Sequence, residues 1–325
     1  MAETAYSMDS RAGIEDMLRD EVAMSEQFRA GAGSILRHLL RNDDRSMFSD
    51  EVVARVRGIL RDLATQLLTA QSQSGTQEGA SEPGRASEPA IDSLVMSFVE
   101  IPALLSHVHA LTLEWQLADQ LATRIALDAV LSPLLQARIA SPDPDESSAA
   151  MLLLTAQARF MQVVRRMEFP ICELPGDLFH LVLLSLRAHG AHDPVADAAA
   201  AAADAALRAR YDERRTRLAL FEQVLAAMGN EACNALYLQT AGVGFFLTAL
   251  ALGSRQDRDE AAFSTTDSQI GKLTLLIAAC GLKGDALVSQ LAALHPDFDL
   301  PDGLDMIRPD TAAAILAEAT TRTDR

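Results

Sequence analysis

Between residues 12 and 41 the apolar side chains return at helical spacing. Ile14, Met17, Leu18, Met24, Phe28, Ile35, Leu36 and Leu39 fall within one arc narrower than half a turn at about 100° per residue. The phase carries through "RAGAGS" at 29–34, so the pattern predicts one long amphipathic helix. Gly31 and Gly33 then read as small positions where a second helix can approach. "RNDDRSMF" breaks the phase, and Ser49 is a suitable N-cap for the next helix, whose stripe is Val52, Val56, Ile59, Leu60, Leu63 and Leu67. The following stretch, "SQSGTQEGASEPGRASEP" at 72–89, has almost nothing to bury and reads as a flexible linker ending near residue 90.

From Ile91 onward the chain is again helical in pattern. Pro102 opens or kinks a leucine-rich helix; "DAVLSPLLQARIA" follows, and the turn "SPDPDESS" at 141–148 leads into "AAMLLLTAQARFMQVVRRM". In that last helix the charges, Arg159, Arg165 and Arg166, share one narrow arc, which predicts a mostly buried element. "FPICELPGD" reads as a loop and "LFHLVLLSLRAHG" as a short buried helix ending near Gly190. One helix is expected from Pro194 to about Met228, with Asp193 as its cap and Pro194 in its first turn. Its alanine run either lets a neighbour pack closely or faces water. Two short helices, "SQIGKLTLLIAACGL" and "DALVSQLAALH", a loop and a closing helix "TAAAILAEATT" complete the chain.

Strict alternation of β-branched and aromatic residues is nearly absent, so the fold class is all-α. The organisation expected is a helical hairpin at 1–71, a linker at 72–90 and a larger helical domain at 91–325. Two helices alone cannot enclose a core. The hairpin stripe must therefore dock on the main domain or pair with a second copy as a four-helix bundle. Ile14, Leu18, Phe28, Ile35, Val56, Ile59 and Leu63 are the side chains expected to make that interface; a protein partner is expected, a homodimer through 1–71 being one option.

Residues 232–254 carry no charge and include "LYLQTAGVGFFLTALAL". A membrane span needs roughly 20 mostly apolar residues. Asn234, Gln239, Thr240 and Thr248, with Gly242 and Gly244 mid-run, favour a buried core helix broken at the glycines. A formal charge of −17 repels phosphate backbones and anionic lipid, which disfavours nucleic-acid binding and membrane docking. Lys272 and Lys283 are the only lysines among 28 basic residues, and arginine is expected mainly as a surface charge. Cys172, Cys233 and Cys280 are odd in number and widely spaced, without a CxxC pair, and no basic-then-apolar leader opens the chain. Both features suit reduced thiols in a cytoplasmic protein.

The candidate chemistry is sparse. His107 and His109 lie two apart on a helix, so they point away from each other and cannot share a metal. "HGAHD" places His189, His192 and Asp193 together as the best metal-like cluster; the plainer reading is a histidine at a helix C-terminus followed by an exposed turn. His180, inside "LFHLVLL", reads as a satisfied core histidine. Asp143, Asp145 and Glu146 lack the twelve-residue loop of a calcium site and read as residues of a helix N-terminus. There is no phosphate-binding glycine motif, no GxSxG and no HExxH, so no cofactor is implied. Cys280 and Trp115 read as an inert thiol and a packing residue.

"RFMQVVRRMEFPIC" at 159–172 is echoed by "LFEQVLAAMGNEAC" at 220–233, with Phe, Gln, Val, Met and Cys at the same spacing. The echo reads as two amphipathic helix ends, each followed by a cysteine. "LLQARIASPDPDESSAAMLLLTAQ" at 134–157 resembles the helix–turn–helix junction of HEAT-like α–α repeats, and "ILRHLLRNDDRSMFSDEVVARVRGIL" at 35–60 has a looser form of it. The chain also resembles uncharacterised helical domain families, which imply no activity. The HEAT-like resemblance implies partner binding along a helical surface. The leading expectation is a non-enzymatic interaction or regulatory protein. The alternatives are an enzyme or small-ligand protein with a pocket in 91–325, testing Cys172, His180, His189 and His192 first, or a membrane-associated protein using 232–254.

Overall fold

The computed structural model describes residues 2–41, 50–75, 86–297, 304 and 307–323, and among these the fold is all-α, without strands. The helices are α1 (Ala2–Arg41), α2 (Asp50–Gly75), α3 (Glu88–Val99), α4 (Pro102–Ile125), α5 (Pro133–Ile139), α6 (Pro144–Arg165) and α7 (Gly176–Gly190). They continue with α8 (Pro194–Arg210), α9 (Arg217–Met228), α10 (Leu238–Ser254), α11 (Arg258–Ser264), α12 (Ile270–Ala279), α13 (Gly284–Leu294) and α14 (Pro309–Thr323). Contacts divide the chain into two interleaved compact units. A terminal unit comprises 1–32, 116–151 and 221–325; a middle unit comprises 33–115 and 152–220. Most of the stretch expected as a linker, 76–85, lies outside the described residues, as does Ser49. The edges of that stretch are helical. Ser72 and Ser74 hydroxyls donate to the Thr69 and Ala70 carbonyls at the end of α2, and Pro89 sits in the first turn of α3.

The terminal unit is built around α10, where Phe245, Phe246, Leu247 and Leu250 are fully buried. As expected within 232–254, the apolar part of the uncharged run, Ala241–Ala251, is core, and its helix is broken at a glycine. Gly242 bends α10 at φ 75° and ψ 166°, a backbone region open to glycine, and a Cβ there would lie 3.0 Å from that of Ser132. Gly244 is helical and makes room for a ring: Phe221 stands edge-on to Phe245, with centroids 4.9 Å apart, where a Gly244 Cβ would be. Among the described residues no single helix is long and apolar enough to cross a membrane.

α12 packs on α10 and α14 and is buried from Ile270 to Ala278. The first part of α1 meets its N-terminal end. Glu21 accepts the Gly271 N–H at 2.8 Å, supplying a partner to a backbone donor that the helix itself leaves unsatisfied. Lys272 has a buried ammonium in that same turn, where the helix dipole disfavours a cation, and Glu26 and Glu260 both bind it, Glu260 at 2.6 Å. The buried line of α1 here runs through Leu18, Val22 and Ser25, while Met17 and Met24, on the rim of the predicted arc, are exposed.

In the middle unit the α2 stripe, Val52 through Leu67, is buried as its spacing predicts. α8 packs against it closely because Ala200 and Ala203 present no bulk. α3 and α7 complete the core, with Leu94, Phe98, Phe179, Val182 and Leu186 buried.

Two features of this unit go beyond the sequence expectations: two arginines are buried, and one expected helix is broken. Arginine is not only a surface charge. The Arg217 guanidinium is 3 % exposed, donates two hydrogen bonds to Glu114 at 2.7 and 2.9 Å and one to Gln157 at 3.1 Å, and lies 3.6 Å over the Phe160 ring. Arg55 lies 3.5 Å over Trp115 and donates to the Val164 carbonyl and to Glu51. The planar, weakly hydrated guanidinium suits both places; an ammonium would not stack in this way.

The single helix expected over 194–228 is broken at 211–216. Tyr211 is extended at φ −72° and ψ 129°. Its hydroxyl donates to the Leu174 carbonyl at 2.8 Å, and its ring stacks on Phe179 at 4.1 Å. Asp212 and Thr216 side chains accept the N–H groups of Arg214 and Ala219, giving the backbone a local alternative to the helical ladder.

Replacing Gly244 with alanine forces a methyl group into the Phe221 ring, 2.2 Å from Cζ. Denaturant unfolding of Gly244→Ala should show a loss of about 1–3 kcal/mol. Glu114→Ala leaves the buried Arg217 guanidinium without its carboxylate, and the same measurement should show a loss of about 3–5 kcal/mol.

Candidate functional site

The break at 211–216 faces the loop after α6, and the two loops are tied reciprocally. Glu173 accepts the N–H of Arg217 at the start of α9, at 2.7 Å, and Glu213 accepts the N–H of Gly176 at the start of α7, at 3.1 Å. The hydrogen bond from Tyr211 to Leu174 is the third tie. Each carboxylate sits at a helix N-terminus, where the dipole favours it.

These loops and one face of α6 enclose a cleft of about 360 Å³ in the middle unit. Its floor and side are apolar: Leu152, Ala156 and Leu220, with Leu152 52 % exposed. Its polar wall holds Arg159, Arg210 and Arg215 with Cys172, Glu173 and Asp212. Leu152, Thr155, Ala156 and Arg159 are spaced i, i+3, i+4, i+7, so one face of α6 supplies both an apolar strip and a cation. Arg210 ends α8, and Arg215 belongs to the 3₁₀ turn Glu213–Arg215. A narrow recess of about 10 Å³ shares Ala156, Arg159 and Glu173 with the cleft and reaches Phe160 and Arg217.

Cys172 is exposed in a 3₁₀ turn, Ile171–Glu173. Desolvation of its sulfur, helped by the Glu173 charge, pushes the thiol above its ordinary value, while Arg159 pulls it down. Tyr211, beside the cleft, is pushed up to about 12, first by burial and then by the surrounding carboxylates. No histidine lines the cleft.

The residues singled out from the sequence are scattered. His189 is half-buried in the last turn of α7, His192 is exposed, and Asp193 accepts the Val195 N–H at 3.0 Å as the cap of α8. Among the described residues no group of three or more metal-ligating side chains converges, there or elsewhere. His180 is not a core histidine. It faces outward on α7, and Arg208 donates to its Nδ1 at 2.8 Å. His107 and His109 are both buried in α4. Cys280 packs against Gly253, and burial pushes its thiol up to about 12.

Asp143 accepts the Asp145 N–H, and Glu146 pairs with Arg138 at 2.8 Å, as expected of a turn into a helix N-terminus. The stripe expected to form an interface faces its own chain. Leu18 is buried in the terminal unit, and Val56, Ile59 and Leu63 are buried in the middle unit. Ile14 and Ile35 are half-buried, and the Phe28 side chain lies outside the described residues. The two phenylalanines of the echo are both buried, in different settings: Phe160 under a guanidinium, Phe221 edge-on to Phe245.

The cleft was missed because its polar wall comes from the unforeseen break at 211–216. The α6 half had a signal: an arginine at the end of a leucine–alanine face in a helix with few charges. Comparison with known protein families, curated proteins and solved structures finds no match to this chain.

The thiolate is the reactive form of a cysteine. Iodoacetamide labelling of Cys172, followed by mass spectrometry between pH 7 and pH 10.5, should therefore reach half its maximal rate above the ordinary thiol value of 9.0. Arg159→Gln removes the one cation that lowers it and should move the midpoint higher still.

Proposed function

We propose that this is a small-molecule-binding helical protein whose ligand occupies the cleft of the middle unit. The observation that carries the reading is the cleft itself, about 360 Å³ with an apolar floor and one polar wall. Ligand sites commonly have that composition and a volume of roughly 300–1,000 Å³. The exposed Leu152 adds support, since a large apolar side chain lining a concave site gains from being covered by a ligand. Binding without transformation fits the chemistry of the wall. Its cysteine has a raised thiol and no histidine beside it in the cleft, so the groups needed to activate a nucleophile are not assembled there. Interaction through the 1–71 stripe has less support, because the stripe would first have to leave the chain's own core.

Cys172 is a built-in reporter. Alkylation of the intact protein in the presence of a panel of neutral, cationic and anionic small molecules should show at least one class slowing Cys172 about fivefold or more. Cys233, exposed and outside the cleft, should be unaffected. Leu152→Trp should abolish the protection by filling the floor. A panel in which no class protects Cys172 counts against the reading.

A further inference from the structure

Arg159, Arg210 and Arg215 form no hydrogen bond or ion pair through their guanidinium groups among the described residues, although the chain carries 45 acidic residues against 28 basic ones. Elsewhere several arginines pair with carboxylates. Arg61 binds Glu88 and Asp92, Arg138 binds Glu146, Arg187 binds Asp197 and Arg208 binds Asp204. The cleft even contains two carboxylates, but each is turned to backbone: Glu173 to the Arg217 N–H and Asp212 to the Arg214 N–H. Three arginines from three separate elements therefore line one concavity of a protein with a large net negative charge. Guanidinium donors match the oxygens of phosphate and carboxylate groups and bind them in pairs. The apolar floor, Leu152, Ala156 and Leu220, lies beside them and suits a hydrocarbon or aromatic body.

We infer that the cleft takes a small organic oxyanion, a phosphate ester or a dicarboxylate, with its charged head on Arg159, Arg210 and Arg215 and its apolar body on Leu152 and Leu220. The inference rests on the ligand-binding reading above and names the class of ligand. A nucleic-acid strand does not fit: the arginines meet at one small cleft rather than along a track, and a net charge of −17 opposes a long polyanion. The headgroup is thus recognised by three guanidiniums set beside two carboxylates, within a molecule of net charge −17. This arrangement selects for small anions over large ones.

The test uses the intact protein and four probes of one size: phenyl phosphate, phthalate, benzyl alcohol and benzylamine. Binding is followed by calorimetry and by protection of Cys172. Phenyl phosphate or phthalate should bind at least tenfold tighter than benzyl alcohol, benzylamine should not bind, and raising sodium chloride from 50 to 300 mM should weaken the anion several-fold. Arg159→Gln and Arg215→Gln should each weaken the anion about tenfold or more. Arg166→Gln, an equal charge change at an exposed arginine outside the cleft, should leave it unchanged. All three positions are exposed, so the variants should keep the parent's helical circular dichroism and melting temperature. Benzyl alcohol binding as tightly as the anions would overturn the anion inference and leave the ligand-binding reading standing. Equal weakening by Arg166→Gln would overturn it too, as an effect of overall charge. Absence of binding by all four probes, with no protection of Cys172, would overturn both.

Discussion

The middle unit depends on where one buried guanidinium finds its partners. Arg217 opens α9, and its side chain runs inward to Glu114 on α4 and to Gln157 and Phe160 on α6. Its backbone N–H binds Glu173, on the far side of the loop after α6. One residue thus ties three parts of the chain that are distant in sequence. A buried ion pair of this kind adds little net stability compared with a well-packed apolar substitute, but it admits few alternative arrangements. A loop held through it has a defined position, and the cleft lies next to that loop. Desolvation and geometry combine here: the pair is tolerable because all the main donors are matched, and it is matched because α4, α6 and α9 meet at this register.

The cleft follows from the same constraint. Glu173 is occupied by the N–H that opens α9 and Asp212 by the Arg214 N–H of the following 3₁₀ turn, so the two carboxylates of the cleft are already engaged with backbone donors. Helix capping has taken the counter-ions that the arginines would otherwise find. The unpaired state of the wall arginines among the described residues thus reflects which carboxylates the backbone has engaged as much as the number of arginines. Counting charges along the chain cannot reveal this, because it depends on which carboxylates are used elsewhere.

Much of the fold was legible in the sequence, because helical spacing is a local property. The stripe of α2, the continuity of α1 through Gly31 and Gly33, the Asp193–Pro194 start of α8 and the glycine break in α10 all follow from neighbouring residues. What was not legible depended on partners far away in the chain. Tyr211 looks compatible with a continuing helix until Leu174 and Phe179 are seen beside it. Arg217 looks like any surface arginine until Glu114 faces it. His180 lies between Phe179 and Leu181 in sequence, yet the helix turns it outward. The candidate site suffered most, since its polar wall needs the break at Tyr211, and only the α6 face from Leu152 to Arg159 could have been read in advance.

The interleaving of the two units sets an order on synthesis. The middle unit is complete in sequence at Leu220, so its core can close while more than a hundred residues are still to be made. The first thirty-two residues cannot settle so soon. Glu21 and Glu26 must wait for Gly271 and Lys272, and Leu18 and Val22 remain uncovered for most of translation. The helix is made 250 residues before the Gly271 that Glu21 binds, leaving in the meantime an apolar face that nascent-chain chaperones would recognise. The same interleaving means that cutting the chain after α2 takes pieces from both units, so neither can be isolated as one continuous fragment.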